Sequence, residues 1–283
     1  MEKLEKYLDK NMKAMWSYFK KNENNWCDLN TNLNITSYSA VYNQQYYLLK
    51  YFPAYFTEYF HIWEEFFKKY NKESIKIISI GCGVGIDFSA LKKYKQLNKI
   101  PDFDYKGIDL IAWQNKFKNM PFIKKDIDKI DTDDLNNIDL VVFPKILTEL
   151  TSDNLKKLAS KIIQSNTSSE LYFINSYITN DSSNQNVDGI DQFKIICDDL
   201  KQNGFTTDDL CSEYTYFKKQ QGLIVDYSFC VYPNEVKDSL INLKSNCTNY
   251  NEEENDCKNC NIGTYPILYN KYIAYNIFKF VKK

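Results

Sequence analysis

The sequence contains no arginine: every basic residue among its 283 positions is a lysine, 36 in all. No site here can hold a carboxylate or phosphate in a guanidinium fork, so such recognition falls to lysines, backbone N–H groups and hydroxyls. Charge excess is absent too. The 37 acidic residues bring the formal net charge to −1, which excludes the electrostatic surplus that drives phosphate-backbone binding. No uninterrupted apolar run approaches membrane-spanning length. The opening stretch, MEKLEKYLDKNMK, is charged and has no apolar core. No secretory signal is therefore expected. A cytoplasmic location and reduced thiols for the eight cysteines are the matching expectations. Histidine occurs once, as His61, with no acid partner identifiable from the sequence, and it reads as a packing or surface residue. Glycine is scarce, with eight in all and none before residue 71.

Aromatic residues, by contrast, are abundant: 23 Tyr and 18 Phe. Residues 1–70 read as helical, and residues 42–70 carry Tyr, Phe and Trp on too many faces for a solvated helix. Two readings stand for this extension. In one its aromatics are packing residues; in the other some of them, Tyr46, Tyr47 and Tyr51 first, close over a ligand pocket as a lid. From residue 71 the pattern changes. Short β-branched and aromatic runs at 75–80, 105–110, 122–127, 138–143 and 171–177 read as strands. Helical stretches at 86–94, 155–164 and 190–203 alternate with them, and Ser152 is the expected cap of the second. Strands at 213–217 and 223–232, a helix at 236–243 and a last strand at 272–281 complete the reading. Such alternation predicts an α/β fold with helices on both faces of a parallel sheet. The expected division is a helical extension or lid over 1–70 and a ligand-binding domain over 71–283, with a cysteine-containing insertion near 233–270.

Three of the eight glycines lie in IISIGCGVGID, residues 77–87. A strand that ends in Gly81-Cys82-Gly83-Val84-Gly85 and then enters a helix lets a ligand approach the main chain. The helix N-terminus adds free N–H groups. Asp109 ends the second strand, where a carboxylate can accept from two ribose hydroxyls. Asp126 follows the third, placed to accept from an adenine amino group. Phe143, Pro144 and Lys145 end the fourth, on the same carboxyl edge. Lys145 reads either as orienting an anionic acceptor or as facing solvent, and Glu149 either as a base or as a helix-capping acid.

With these residues the chain resembles the class I S-adenosylmethionine (SAM)-dependent methyltransferase superfamily, over residues 72–178 and the last strand NIFKFVKK. The resemblance implies a Rossmann-like, seven-stranded, mostly parallel sheet with an antiparallel last strand. It implies a loop of Gly81, Cys82, Gly83 and Gly85 around the methionine part of SAM. It places Asp109 on the ribose, Leu110 on the adenine ring, and Asp126 and Ile127 around the adenine amino group. Where the family carries an acid two places before the first glycine, this chain has Ser79, and Asp87 is the substitute expected to order the loop or hold the methionine end. The segment Phe143-Pro144-Lys145 lacks the Asn/Asp-Pro-Pro-aromatic signature of amide and adenine N6 methylation. The favoured acceptor is a small molecule. RNA, suggested by a narrower likeness of YLLKYFPAY and FPKILTEL to ribosome-associated methyltransferase-like proteins, a protein acceptor, and a catalytically silent SAM-binding role are the alternatives. Cys247, Cys257 and Cys260 supply three of the four ligands a structural zinc or iron–sulfur site needs, with Cys230 or Cys211 the candidate fourth; the favoured reading is a polar loop with free thiols, metal binding is the alternative, and no metal is assigned.

Overall fold

The computed structural model describes residues 2–20, 38–179, 187–211, 215–217, 232–247 and 273–283. These form two compact units. One is built from the described residues of Met1–Thr57, Trp113–Asn115 and Ile224–Asn270, the other from those of Glu58–Ala112, Lys116–Leu223 and Lys271–Lys283.

The first unit holds helix α1 (Glu2–Lys20), the part of helix α2 (Val41–Lys69) up to Thr57, and helix α6 (Asn234–Ser245). Helix α1 is amphipathic: Leu8, Met12, Trp16 and Phe19 recur at helical spacing and are all buried. Proline at position 53 lies inside α2. Its ring removes one helical donor, and the carbonyl of Pro53 accepts from the Thr57 hydroxyl at 2.7 Å. Tyr47 is the hub of an aromatic cluster: Tyr38 lies 5.4 Å away edge-on, Tyr51 at 4.8 Å and Trp113 at 5.6 Å, all by ring centroids. Gln44 closes the same region by accepting from the backbone N–H of Gln114 at 2.8 Å.

The second unit is a sheet. Its strands are β1 (Ser74–Ile80), β2 (Asp102–Asp109), β3 (Phe122–Lys124), β4 (Leu140–Pro144), β5 (Glu170–Thr179), β6 (Val187–Asp188), β7 (Phe205–Thr206), β8 (Thr215–Phe217) and β9 (Ile273–Lys282). The main path runs β3-β2-β1-β4-β5-β9-β7, with β6 paired to β5 and β8 to β9. Strands β1 to β5 are parallel along this path, with Ile77 of β1 opposite Tyr105 on one side and Leu140 on the other. Strand β9 is antiparallel to β5, pairing Phe173 with Phe278. This is the seven-stranded, mostly parallel Rossmann-like sheet with an antiparallel last strand that the sequence predicts.

Both faces are covered. Ile78, Ile80, Val141, Phe143 and Phe173 pack with Leu155, Leu158 and Ile162 of helix α4 (Ser152–Ser165) and with Phe193, Ile196 and Leu200 of helix α5 (Ile190–Gln202). Tyr172 points the other way, as its neighbouring position in the pleat requires. It meets Phe66 of α2 edge-on at 5.6 Å. Helix α3 (Ile86–Leu97) lies on the same half of α2, where Tyr94 stacks on Phe67 at 5.9 Å.

Several boundaries differ from the sequence reading. The third strand stops at Lys124, because Asp126 turns the chain by accepting from the Asp128 N–H at 3.1 Å. Thr151, not Ser152, caps α4: its hydroxyl accepts from the Asn154 N–H at 3.2 Å, and the Asn154 side chain accepts from the Thr151 N–H at 3.0 Å. This reciprocal box satisfies two free donors at once. The two-residue strands β6 and β7 carry no readable pattern. The predicted strand at 223–232, except Tyr232, and most of the loop at 244–262, with Cys257 and Cys260, lie outside the described residues.

Candidate functional site

The glycine loop joins β1 to α3 and holds three left-handed residues: Gly81 at φ 71°, Gly83 at φ 55° and Gly85 at φ 83°. A side chain at such angles is strained. Space is short as well. A Cβ on Gly81 would lie 2.5 Å from Ile146, and one on Gly85 would collide with the Met120 sulfur. The loop is anchored to β2, since the N–H groups of Gly81 and Cys82 both donate to the Ile108 carbonyl, at 2.8 and 3.2 Å.

Asp109 is where β2 and the loop meet. Its carboxylate accepts from the Gly83 N–H at 2.8 Å and from the Ile111 N–H at 2.8 Å. Both oxygens are thus engaged by backbone donors, one from the glycine loop and one from the turn after β2. The sequence placed Asp109 at the strand end but gave no sign that it also ties down the glycine loop. Leu110, next along, is 47% exposed, an apolar side chain standing open at the carboxyl edge. Asp126 and Ile127 are half-buried at the end of β3. Glu149 lies near enough for the Asp109 charge, together with partial burial as the larger cause, to hold its carboxyl above the ordinary range. Three carboxylates therefore gather on this edge.

Asp87 lies inside the joint between β1 and α3. It is 1% exposed, in the first turn of α3. Its carboxylate accepts from the Tyr105 hydroxyl at 2.8 Å, and its carbonyl accepts from the Trp63 indole at 3.0 Å. Burial pushes the acid up to about 6, with the Tyr105 and Ser79 hydroxyls opposing the shift. Asp87 thus reaches from α3 toward Ser79 of β1. Its contacts are those of a group that orders the strand-to-helix joint. Cys82 is buried too, with its sulfur against the bare face of Gly107. Burial, then the charges of Asp87 and Asp109, push its thiol well above the usual value, and its contact with Gly107 is that of a packing side chain.

The end of β4 departs most from the sequence picture. Phe143 is fully buried and stacks parallel to Phe173 at 6.5 Å; only its backbone reaches the edge. Pro144 is half-buried there. Lys145 has a left-handed backbone, φ 63°, at a cost of about 1–3 kcal/mol for a residue with a side chain. Its side chain is 8% exposed, and the ammonium lies 2.9 Å from a carboxylate oxygen of Glu58, which is fully buried. The ammonium also donates to the Tyr177 carbonyl at 2.8 Å, and the Ser176 hydroxyl donates to Glu58 at 2.6 Å. Burial raises the Glu58 carboxyl and lowers the Lys145 ammonium, each opposed by the partner's charge. Glu58 escaped the sequence reading; its one signal was an acid within the aromatic run of α2.

Tyr47 and Tyr51 belong to the first unit and meet each other there; the Tyr51 hydroxyl is raised by burial. Trp113, also in that unit, is 5% exposed and packs 5.2 Å from Tyr38. His61, expected to lack an acid partner, has one: its Nδ1 lies 3.2 Å from Glu64, one turn along α2, while burial lowers its basicity. Among the other cysteines, half-exposed Cys211 hydrogen-bonds with buried Cys197, which lowers the Cys211 thiol. No helix among the described residues is long and apolar enough to cross a membrane.

No protein-family model and no curated protein matches the chain. Among solved structures it is similar to a TehB-like SAM-dependent methyltransferase from Corynebacterium glutamicum, at 14% identity over 82% of this chain and 100% of that one, with a TM-score of 0.36. It is also similar to the plantazolicin methyltransferase BpumL in complex with SAH, at 12% identity over 84% and 88% and a TM-score of 0.45. A third is the magnesium protoporphyrin IX methyltransferase from Synechocystis with bound SAM, at 10% identity over 98% and 94% and a TM-score of 0.39.

Proposed function

We propose that this chain is a SAM-dependent methyltransferase acting on a small-molecule acceptor. The observation that carries this reading is the joint of the three left-handed glycines with Asp109 at the carboxyl edge of the sheet. In open α/β sheets ligands bind outside the carboxyl ends of the strands, where the strand order reverses. Here β1 has β2 on one side and β4 on the other, and the glycine loop leaves β1 at that reversal. The residues present suit the cofactor. The left-handed glycines turn the loop sharply at this edge, the Asp109 carboxylate stands at the end of the neighbouring strand, and Leu110 offers an exposed apolar face for a purine ring.

SAM supplies a methyl group already activated by its sulfonium. What remains for the protein is to bind and align. Asp109 accepts from the ribose hydroxyls while holding the Gly83 N–H, so the same carboxylate that grips the nucleoside fixes the loop. Asp126 and Ile127 flank the adenine amino group. The carboxylates of Asp109, Asp126 and Glu149 give this edge a negative potential, which favours a cationic cofactor. Glu149 is assigned as the base that receives a proton from the acceptor, because it stands exposed in the turn after β4, at the carboxyl edge and near Asp109. Lys145, with its ammonium held by Glu58 and the Tyr177 carbonyl, is assigned no contact with the acceptor.

The small-molecule assignment rests on the net charge of −1 and the absence of arginine, which offer a nucleic acid no electrostatic footing. Incubating the protein with radiolabelled SAM and a library of small amines, phenols and carboxylates tests it directly. Methyl transfer to a library member supports the reading, and transfer to RNA alone overturns it.

A further inference from the structure

The buried group formed by Glu58, Lys145 and Ser176 belongs to no cofactor contact, yet it sits at the carboxyl ends of β4 and β5, beside the glycine loop. The turn that follows β4 connects the two. Lys145 adopts φ 63°, and its backbone N–H donates to the Phe143 and Ser176 carbonyls, each at 3.0 Å. The next residue, Ile146, lies directly against the main chain of Gly81, so close that a Cβ there would be 2.5 Å from Ile146 Cγ1. The short helical turn Leu147–Glu149 follows at once.

We propose that Glu58 is a positioning residue for SAM binding, acting through Lys145 to lock the turn after β4 and so press Ile146 onto the first glycine of the loop. This rests on the methyltransferase reading. A lysine resists the left-handed conformation. The backbone N–H bonds to the Phe143 and Ser176 carbonyls hold part of the turn, and the side chain adds a second hold, its ammonium drawn inward by the Glu58 carboxylate at 2.9 Å and the Tyr177 carbonyl at 2.8 Å. Ser176 fixes the carboxylate in turn, with a 2.6 Å hydrogen bond to the other oxygen. Released from this clamp, residue 145 relaxes toward φ below zero, Ile146 swings off Gly81, and the loop loses the wall against which its left-handed glycines are set.

Two double variants separate this role from a merely structural ion pair. Both E58Q/K145M and E58Q/K145G remove both charges, so neither leaves a buried ion unpaired, and both leave Ser176 an amide oxygen as acceptor. They differ in one respect: methionine at 145 still resists positive φ, whereas glycine adopts it freely. Binding of S-adenosylhomocysteine (SAH) is measured by calorimetry for each, with cooperative thermal unfolding as the check on folding. We expect the dissociation constant to rise at least about tenfold in E58Q/K145M and to stay within about threefold of the unaltered chain in E58Q/K145G. Equal affinities for the two variants overturn the proposal, and so does weak binding by E58Q/K145G. If E58Q/K145M does not fold, near-normal binding by a folded E58Q/K145G supports the proposal and weak binding by it refutes it. Absence of SAH binding by the unaltered chain is a different failure, that of the methyltransferase reading itself, and is seen before any variant is compared.

Discussion

Replacing Asp87 by asparagine should remove a specific piece of the protein's pH dependence. The acid is buried, and burial pushes its carboxyl up from the ordinary 3.8 to about 6. A raised carboxylate pKa means the native state binds the proton more tightly than the unfolded chain. Asp87 therefore favours folding fully below pH 4, and that advantage is lost as pH rises through about 6. The rise from 3.8 to about 6, at about 1.4 kcal/mol per pH unit, amounts to about 3 kcal/mol. At pH 7 the unaltered chain carries this cost as a buried charge, whereas D87N carries none and keeps an oxygen for the Tyr105 hydroxyl. Urea unfolding of both proteins from pH 4 to pH 7 tests the reasoning. Near pH 4 the two should be similar in stability, and D87N should become progressively more stable, by about 3 kcal/mol, toward pH 7. A stability difference that stays constant across this range would refute the assignment of a buried, raised acid at position 87.

Other perturbations have equally definite outcomes. G85A forces a methyl group onto the Met120 sulfur at φ 83°, and should cost about 2 kcal/mol or more in thermal or chemical unfolding together with a loss of SAH affinity. E58A leaves the Lys145 ammonium buried without its carboxylate, and should destabilise the fold by about 3–5 kcal/mol, read from the denaturation midpoint; a change below about 1 kcal/mol would mean the pair is solvated. T151A removes the cap of α4, at about 1 kcal/mol, with little effect on SAH binding, since Asn154 keeps its own hydrogen bond to the Asp128 carboxylate at 2.8 Å.

The sheet was legible because its signals are local. Ser74–Ile80 and Leu140–Pro144 are apolar runs bounded by turn residues, and Gly81, Gly83 and Gly85 mark the turn by composition alone. Asp109 and Asp126 were legible by the same logic, as acids that directly follow strands. What stayed hidden depends on pairing at a distance. Nothing near Lys145 reveals that a glutamate 87 residues earlier takes its ammonium inside. The sequence likewise gives Asp87 a loop-ordering task without disclosing that Tyr105, from the neighbouring strand, is what it meets. Phe143 was expected at the edge because its strand ends there, but the pleat sends its ring into the core. Strands β6 and β7, at two residues each, are too short to carry a period.

The central claim is that Asp109 joins a SAM nucleoside to the glycine loop, and calorimetric titration with SAH of the unaltered chain and of D109A measures it most directly. The unaltered chain should bind SAH in a saturable, one-to-one manner. D109A gives up hydrogen bonds to a charged acceptor worth about 1.5–3 kcal/mol each, and so should bind at least about tenfold more weakly while still unfolding cooperatively. Saturable binding by D109A at unaltered affinity, or none by the unaltered chain, would contradict the account.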